Sequence, residues 1–223
     1  MPSRVPIYFR SSNCYTKHNR LCGKIGTVDS RSNVNERIFS GDENGSNWRN
    51  LITYQWRNDP DLSAKSDMDY VHDVIQSLTD HIYSNPKDYD AIFLRGNGYL
   101  DSGQYDLGIA DYSILIDLPN PDERALNNRS LCWRGLGKFE RGLEDSSAAI
   151  NINPNYRDAF NNRGMLYSDI NEHTKAITDF TRAIEIDPDY WYAYNNRAQS
   201  YLIMGDKSGA FSDYEKVRAL LGH

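Results

Sequence analysis

Cys14, His18 and Cys22 read C-x3-H-x3-C, and on a helix they would share one face and present three ligands to a metal ion. A closed structural zinc site takes four ligands, and no fourth lies near this triplet. The expectation is incidental residues in a loose arm, with no metal bound. Cys132 falls inside a helical segment and is expected to pack. No spacing in the chain reads as catalysis. G-x-S-x-G, H-E-x-x-H and G-x-x-x-x-G-K-[ST] are all missing from the sequence. Gly135-Leu136-Gly137-Lys138 has part of a phosphate loop but lacks the upstream glycine and the hydroxyl, and it is expected to be a turn between helices. The histidines at 18, 72, 81, 173 and 223 are scattered, and the carboxylates fall at helix starts and exposed faces. These observations point to a chain that is not an enzyme, with no catalytic residues and no cofactor.

Two other sets of residues recur at a fixed interval. Arg95, Arg129, Arg163 and Arg197 are spaced by 34 residues, and Asp111, Asp145, Asp179 and Asp213 each follow an arginine by 16. The arginine closes the run Asn127-Asn128-Arg129, repeated as Asn161-Asn162-Arg163 and Asn195-Asn196-Arg197, with Phe93-Leu94-Arg95 in the first copy. A period of this length indicates a stack of helical hairpins. An antiparallel hairpin brings each arginine within reach of its own or a neighbouring aspartate, which predicts a ladder of partly buried ion pairs. The asparagines invite a second chemistry. An amide both donates and accepts, so it can pair with an extended backbone whatever that backbone's side chains. Asparagine has little helix preference, so three copies inside helices imply a gain elsewhere, either a bound chain or bonds that hold the stack.

The elements that carry these columns follow from the rest of the repeat. Small residues hold Gly96, Ser130, Gly164, Ala198 and Gly108, Gly142, Ala176, Ala210; large aromatics hold Tyr99, Trp133, Tyr167, Tyr201. Turns carry Gly103, Gly137, Asn171 and Gly205, and Pro86, Pro154 and Pro188 close units. Apolar spacing of three and four predicts helices over 90–102, 106–118, 124–136, 140–152, 158–170, 174–186, 192–204 and 208–220. This pattern resembles the tetratricopeptide repeat (TPR), whose two helices bear small and aromatic residues at these offsets. The resemblance covers residues 89–223 and implies an all-α, right-handed solenoid of four antiparallel hairpins. The expected divisions are TPR units at 89–122, 123–156, 157–190 and 191–223, a capping half-repeat helix at 67–88, and a basic, largely disordered arm and linker at 1–66.

The resemblance also implies a binding face. In such proteins the first helix of each hairpin lines a concave groove, and Asn128, Asn162 and Asn196 match the position whose amide grips a peptide. The expected groove residues are Asn97, Arg124, Asn127, Asn128, Asn161, Asn162, Tyr192, Asn195 and Asn196. Asn97 and Asn128 also match the asparagines of the clamp that binds chaperone tails. Its basic positions fall on Phe93, Asp158 and Asn162 here, so that clamp is broken. With Asp90, Asp101, Asp158 and Asp169 eased by Arg124 and Arg134, the groove should favour a neutral, aromatic or basic segment. The expected function is a non-catalytic scaffold that binds a protein or peptide.

Charge and composition supply the alternatives. Residues 1–60 carry a net +4 and residues 61–223 a net −10, which sum to the −6 of the whole chain. Arg4, Arg10, Lys17, Arg20 and Lys24 lie in an acid-free start of 28 residues. That start reads as a disordered arm, a targeting segment, or a contact for nucleic acid or for the acidic array. Nucleic acid is not the expected partner; one alternative is a regulatory subunit that docks through this arm. Residues 30–66 read as a linker interrupted by an apolar patch at Trp48, Leu51, Ile52 and Trp56, suited to dock on the first repeats. The other alternative is self-assembly through the last hairpin, where Tyr214, Leu220 and Leu221 have no following helix to cover them. No apolar run reaches the ~20 residues that span a bilayer, and no secretory signal is present, so a soluble cytoplasmic protein without a membrane partner is the default expectation.

Overall fold

A computed structural model describes residues 67–222. The expectations for the Cys14–His18–Cys22 triplet, the basic arm and the Trp48–Trp56 patch lie outside these residues. Among the described residues every regular element is an α-helix. A single helix, α1 (Asp67–Ser84), is followed by four pairs: α2 (Tyr89–Asp101) with α3 (Tyr105–Ile116), α4 (Glu123–Gly135) with α5 (Phe139–Ile152), α6 (Arg157–Asp169) with α7 (His173–Ile186), and α8 (Trp191–Ile203) with α9 (Lys207–Leu221). No helix among the described residues is long and apolar enough to cross a membrane.

Local chemistry sets the helix ends. Asp88, Asp122 and Asp206 accept hydrogen bonds from the backbone N–H groups of Ala91, Arg124 and Gly209, which satisfies donors that the first turn leaves open. Each hairpin turn passes through the left-handed region at Gly103 (φ 74°), Gly137 (69°), Asn171 (62°) and Gly205 (84°). That explains why this column holds glycine and, once, asparagine, the residue that best tolerates the conformation after glycine.

Packing within a hairpin depends on a small residue opposite a ring. A Cβ on Gly164 would lie 2.6 Å from the Phe180 ring, and one on Gly96 would lie 2.8 Å from the Tyr112 ring. Both rings are completely buried, so the helices cross as closely as the rings allow. The apolar core runs from Val74 and Leu78 of α1 through Ile92, Tyr112 and Leu115 to Leu126, Ala149, Phe160, Ala183 and Ala193. It is one continuous spine with no central globule.

Every helix packs on the next in sequence. One hairpin further on, α2 also touches α4, α4 touches α6 and α6 touches α8, whereas the second helices do not approach one another comparably. Unequal spacing of the two layers curves the stack, with the first helices on its inner wall.

Candidate binding face

The arginine column forms the ladder that its spacing implies, and each rung lies within one hairpin. Arg95 grips Asp111 with Nε and Nη2 at 2.8 and 2.6 Å; Arg129 grips Asp145 at 2.7 and 2.7 Å. Arg163 holds Asp179 at 2.7 and 2.8 Å, and Arg197 holds Asp213 at 2.8 and 2.7 Å. All four aspartates are buried. Bidentate pairing with the aspartate raises the arginine pKa in each rung.

A third column completes the rungs. Each arginine's Nη1 donates backwards to a hydroxyl on the second helix of the preceding unit: Thr79 at 3.4 Å, Ser113 at 2.9 Å, Ser147 at 3.3 Å and Thr181 at 2.9 Å. Thr79, Ser113 and Thr181 donate their own protons to carbonyls four residues back, which leaves the hydroxyl oxygen free to accept. One guanidinium therefore closes its own hairpin and ties it to the unit before. Sequence reasoning missed these hydroxyls, although their spacing of 34 residues is as regular as that of the arginines.

The asparagines on the inner wall join one another. Asn196 donates to Asn161 at 2.9 Å, Asn161 to Asn162 at 3.5 Å, Asn162 to Asn127 at 2.8 Å, Asn127 to Asn128 at 3.2 Å and Asn128 to Asn97 at 2.9 Å. Tyr112 Oη adds a second donor to Asn97 at 2.7 Å. The result is one line of side-chain amides across α8, α6, α4 and α2. Asn97, Asn127, Asn128, Asn161 and Asn162 are buried in it, with Asn127 at 0% exposure. Asn196, at its end, and its neighbour Asn195 are half-buried.

The other expected face residues lie nearer solvent. Arg124 pairs with Asp122 at 2.6 Å, which raises its pKa, and its guanidinium stands 4.8 Å from the Phe93 ring centroid. Arg134 reaches Asp169 of the next hairpin at 2.5 Å. Tyr192 is 41% exposed and stacks on Trp191 at 3.7 Å between centroids. Asp158 differs from the other carboxylates of this wall. It is 2% exposed, and burial pushes its carboxyl up to about 6 despite a hydrogen bond with Tyr190 and the nearby Arg157. Sequence reading placed it among the carboxylates of the groove; in the structure it is buried and bonded to Tyr190, 32 residues later.

Among the described residues no cluster of three His, Cys, Asp or Glu is placed to hold a metal ion. Burial raises the Cys132 thiol to about 12, which keeps it protonated and inert as a nucleophile.

Two tetratricopeptide-repeat family profiles match the chain, at residues 158–190 and 180–211. No curated protein sequence matches it. Among solved structures, the thermophilic TPR protein TTC0263 of Thermus thermophilus is similar at a TM-score of 0.61 and 20% identity, covering 76% of this chain and 91% of that one. MamA 41-end from Desulfovibrio magneticus RS-1 is similar at 0.60 and 15% identity, covering 77% and 92%. The first TPR of Spaghetti (RPAP3), bound to HSP90 peptide SRMEEVD, is similar at 0.50 and 24% identity, covering 53% and 94%. At these identities the likeness concerns the fold. The profiles, the 34-residue register and the stacked hairpins together show tetratricopeptide repeats in this chain, in the fold of TPR proteins.

Proposed function

We propose that the inner wall formed by α2, α4, α6 and α8 binds an extended protein or peptide segment, and that the chain acts as a non-catalytic scaffold. One observation carries this reading. The first helices meet along one wall and carry the exposed Tyr192 and Gln199 beside the half-buried Arg124, Asn195 and Asn196. In this reading the buried Asn97, Asn127, Asn128, Asn161 and Asn162 set the wall's spacing. The solvent-facing residues make the contacts. Peptide capture by the Spaghetti domain is an analogy of fold and lends support only at that level.

The test is affinity capture with the full chain and with a Tyr192→Ala, Gln199→Ala double variant, alongside an outer-layer control, Ile114→Ser. Loss of bound protein with the inner-wall variant and retention with the control is the expected result. Equal retention by both would remove the inner wall as the contact surface.

A second reading, self-association through the last hairpin, draws on a different observation. Leu202, Ile203, Met204, Phe211 and Leu221 are exposed at that end of the stack, and Tyr214 and Leu220 are half-buried.

A further inference from the structure

The second residue of α6, Asp158, is a carboxylate short of partners. Tyr190 shares a hydrogen bond with it, and Arg157 Nε stands 3.7 Å from its Oδ1. Oδ1 itself is enclosed and has no hydrogen-bond partner. The same Arg157 pairs through Nη1 with Asp187, so one guanidinium serves two carboxylates and the group keeps a net charge of about −1. A carboxylate favoured only by the helix dipole needs no such burial. Asp90, which occupies the equivalent place two repeats earlier, is exposed.

Tyr190, bonded to this carboxylate, is the first of a cluster of rings. Arg157 lies 4.6 Å from the Tyr190 ring centroid, Tyr190 and Tyr192 are 5.7 Å apart, and Trp191 stacks on Tyr192. Tyr192 is the residue 34 positions after Asp158, so the two hold the same register position on adjacent first helices of the inner wall. A carboxylate with one oxygen left without a donor, beside a cluster of rings, suits an ammonium or a guanidinium: the free oxygen accepts an N–H group and the rings attract the charge.

We infer that the wall between α6 and α8 carries a cation subsite, formed by Asp158 with Tyr190, Trp191 and Tyr192, which takes a lysine or arginine side chain of the bound segment. The inference rests on the inner-wall reading above and specifies its chemistry. Because Oδ1 is enclosed in the unbound chain, entry of the cation requires the side chains packed over it to move. Neutral isosteric replacement of Asp158 removes the charge without removing the acceptor for Tyr190.

The experiment pans a phage-displayed random decapeptide library on the full chain, then measures the selected peptides by fluorescence anisotropy. Selected peptides are expected to share a lysine or arginine, and changing it to norleucine should weaken binding on the order of 10-fold. Asp158→Asn, checked for folding by circular dichroism, should weaken the original peptide equally and leave the norleucine peptide unaffected, as two changes to one contact do. Peptides that compete for the Tyr192 face yet show no basic preference, or losses that multiply independently, would overturn the subsite and leave the inner-wall reading intact. A library that yields no binder would overturn the inner-wall reading and the subsite with it.

Discussion

Asp158 costs stability where a neutral side chain would not. Burial raises its carboxyl from the usual 3.8 to about 6, so the folded chain holds that proton more tightly than the unfolded one. The associated stability is complete below about pH 4 and is lost as pH rises through about 6. Asp158→Asn should therefore stabilise the chain at pH 7 by on the order of 1–3 kcal/mol, with the gain shrinking towards zero at pH 4. Thermal unfolding of both proteins at the two pH values measures it, and an equal difference at pH 4 and pH 7 would refute the buried-charge account. A residue that costs stability yet sits on a candidate face is the kind of trade expected where binding matters.

At the level of the hairpin, the Arg–Asp–hydroxyl rung joins three helices through one side chain. Removing Arg163 leaves Asp179 buried without its cation, and the loss should be about 3–5 kcal/mol. In a stack of this length that lowers Tm by roughly 6–15 °C in a differential scanning calorimetry trace of Arg163→Ala. Replacing Arg163 and Asp179 together by leucine should recover most of the loss, because no orphaned charge remains. A Tm unchanged in the single variant would show that the rung contributes nothing. The asparagine line makes a graded prediction. Asn127 is enclosed and bonded on both sides, so Asn127→Ala strands two buried partners and should cost about 1–3 kcal/mol. Asn196 ends the line half-exposed, and its replacement should cost less. Equal effects in urea unfolding would mean the amides act separately.

For the whole molecule, order is propagated between neighbours, because each unit touches only those before and after it. The arginine rungs bridge the two layers and the amide line follows the inner wall, and both cross every hairpin boundary among the described residues. In the second reading proposed above, Phe211 of α9, at 68% exposure, and its apolar neighbours are the surface through which copies would associate. If they do, multi-angle light scattering of the wild type should show a concentration-dependent rise in mass, abolished by Phe211→Glu. A monomer in both proteins at high concentration would leave the inner wall as the contact surface of choice.

The 34-residue period was enough to determine the hairpin stack, the helix limits to within one or two residues, the turn conformations and the pairing of each arginine with an aspartate. These were legible because each is set by a local spacing repeated in every unit. The Thr79–Ser113–Ser147–Thr181 column was equally periodic but carried no charge to draw attention, and only the packed stack shows that it completes the rungs. The destination of the asparagines was a matter for the tertiary structure. An amide pairs equally well with a bound chain or another amide, and the distance between neighbouring first helices brings these side chains together. Asp158 was likewise illegible from its neighbours in sequence. Its burial involves Tyr190 at the far end of the same unit, 32 residues away, a contact made only in the folded stack.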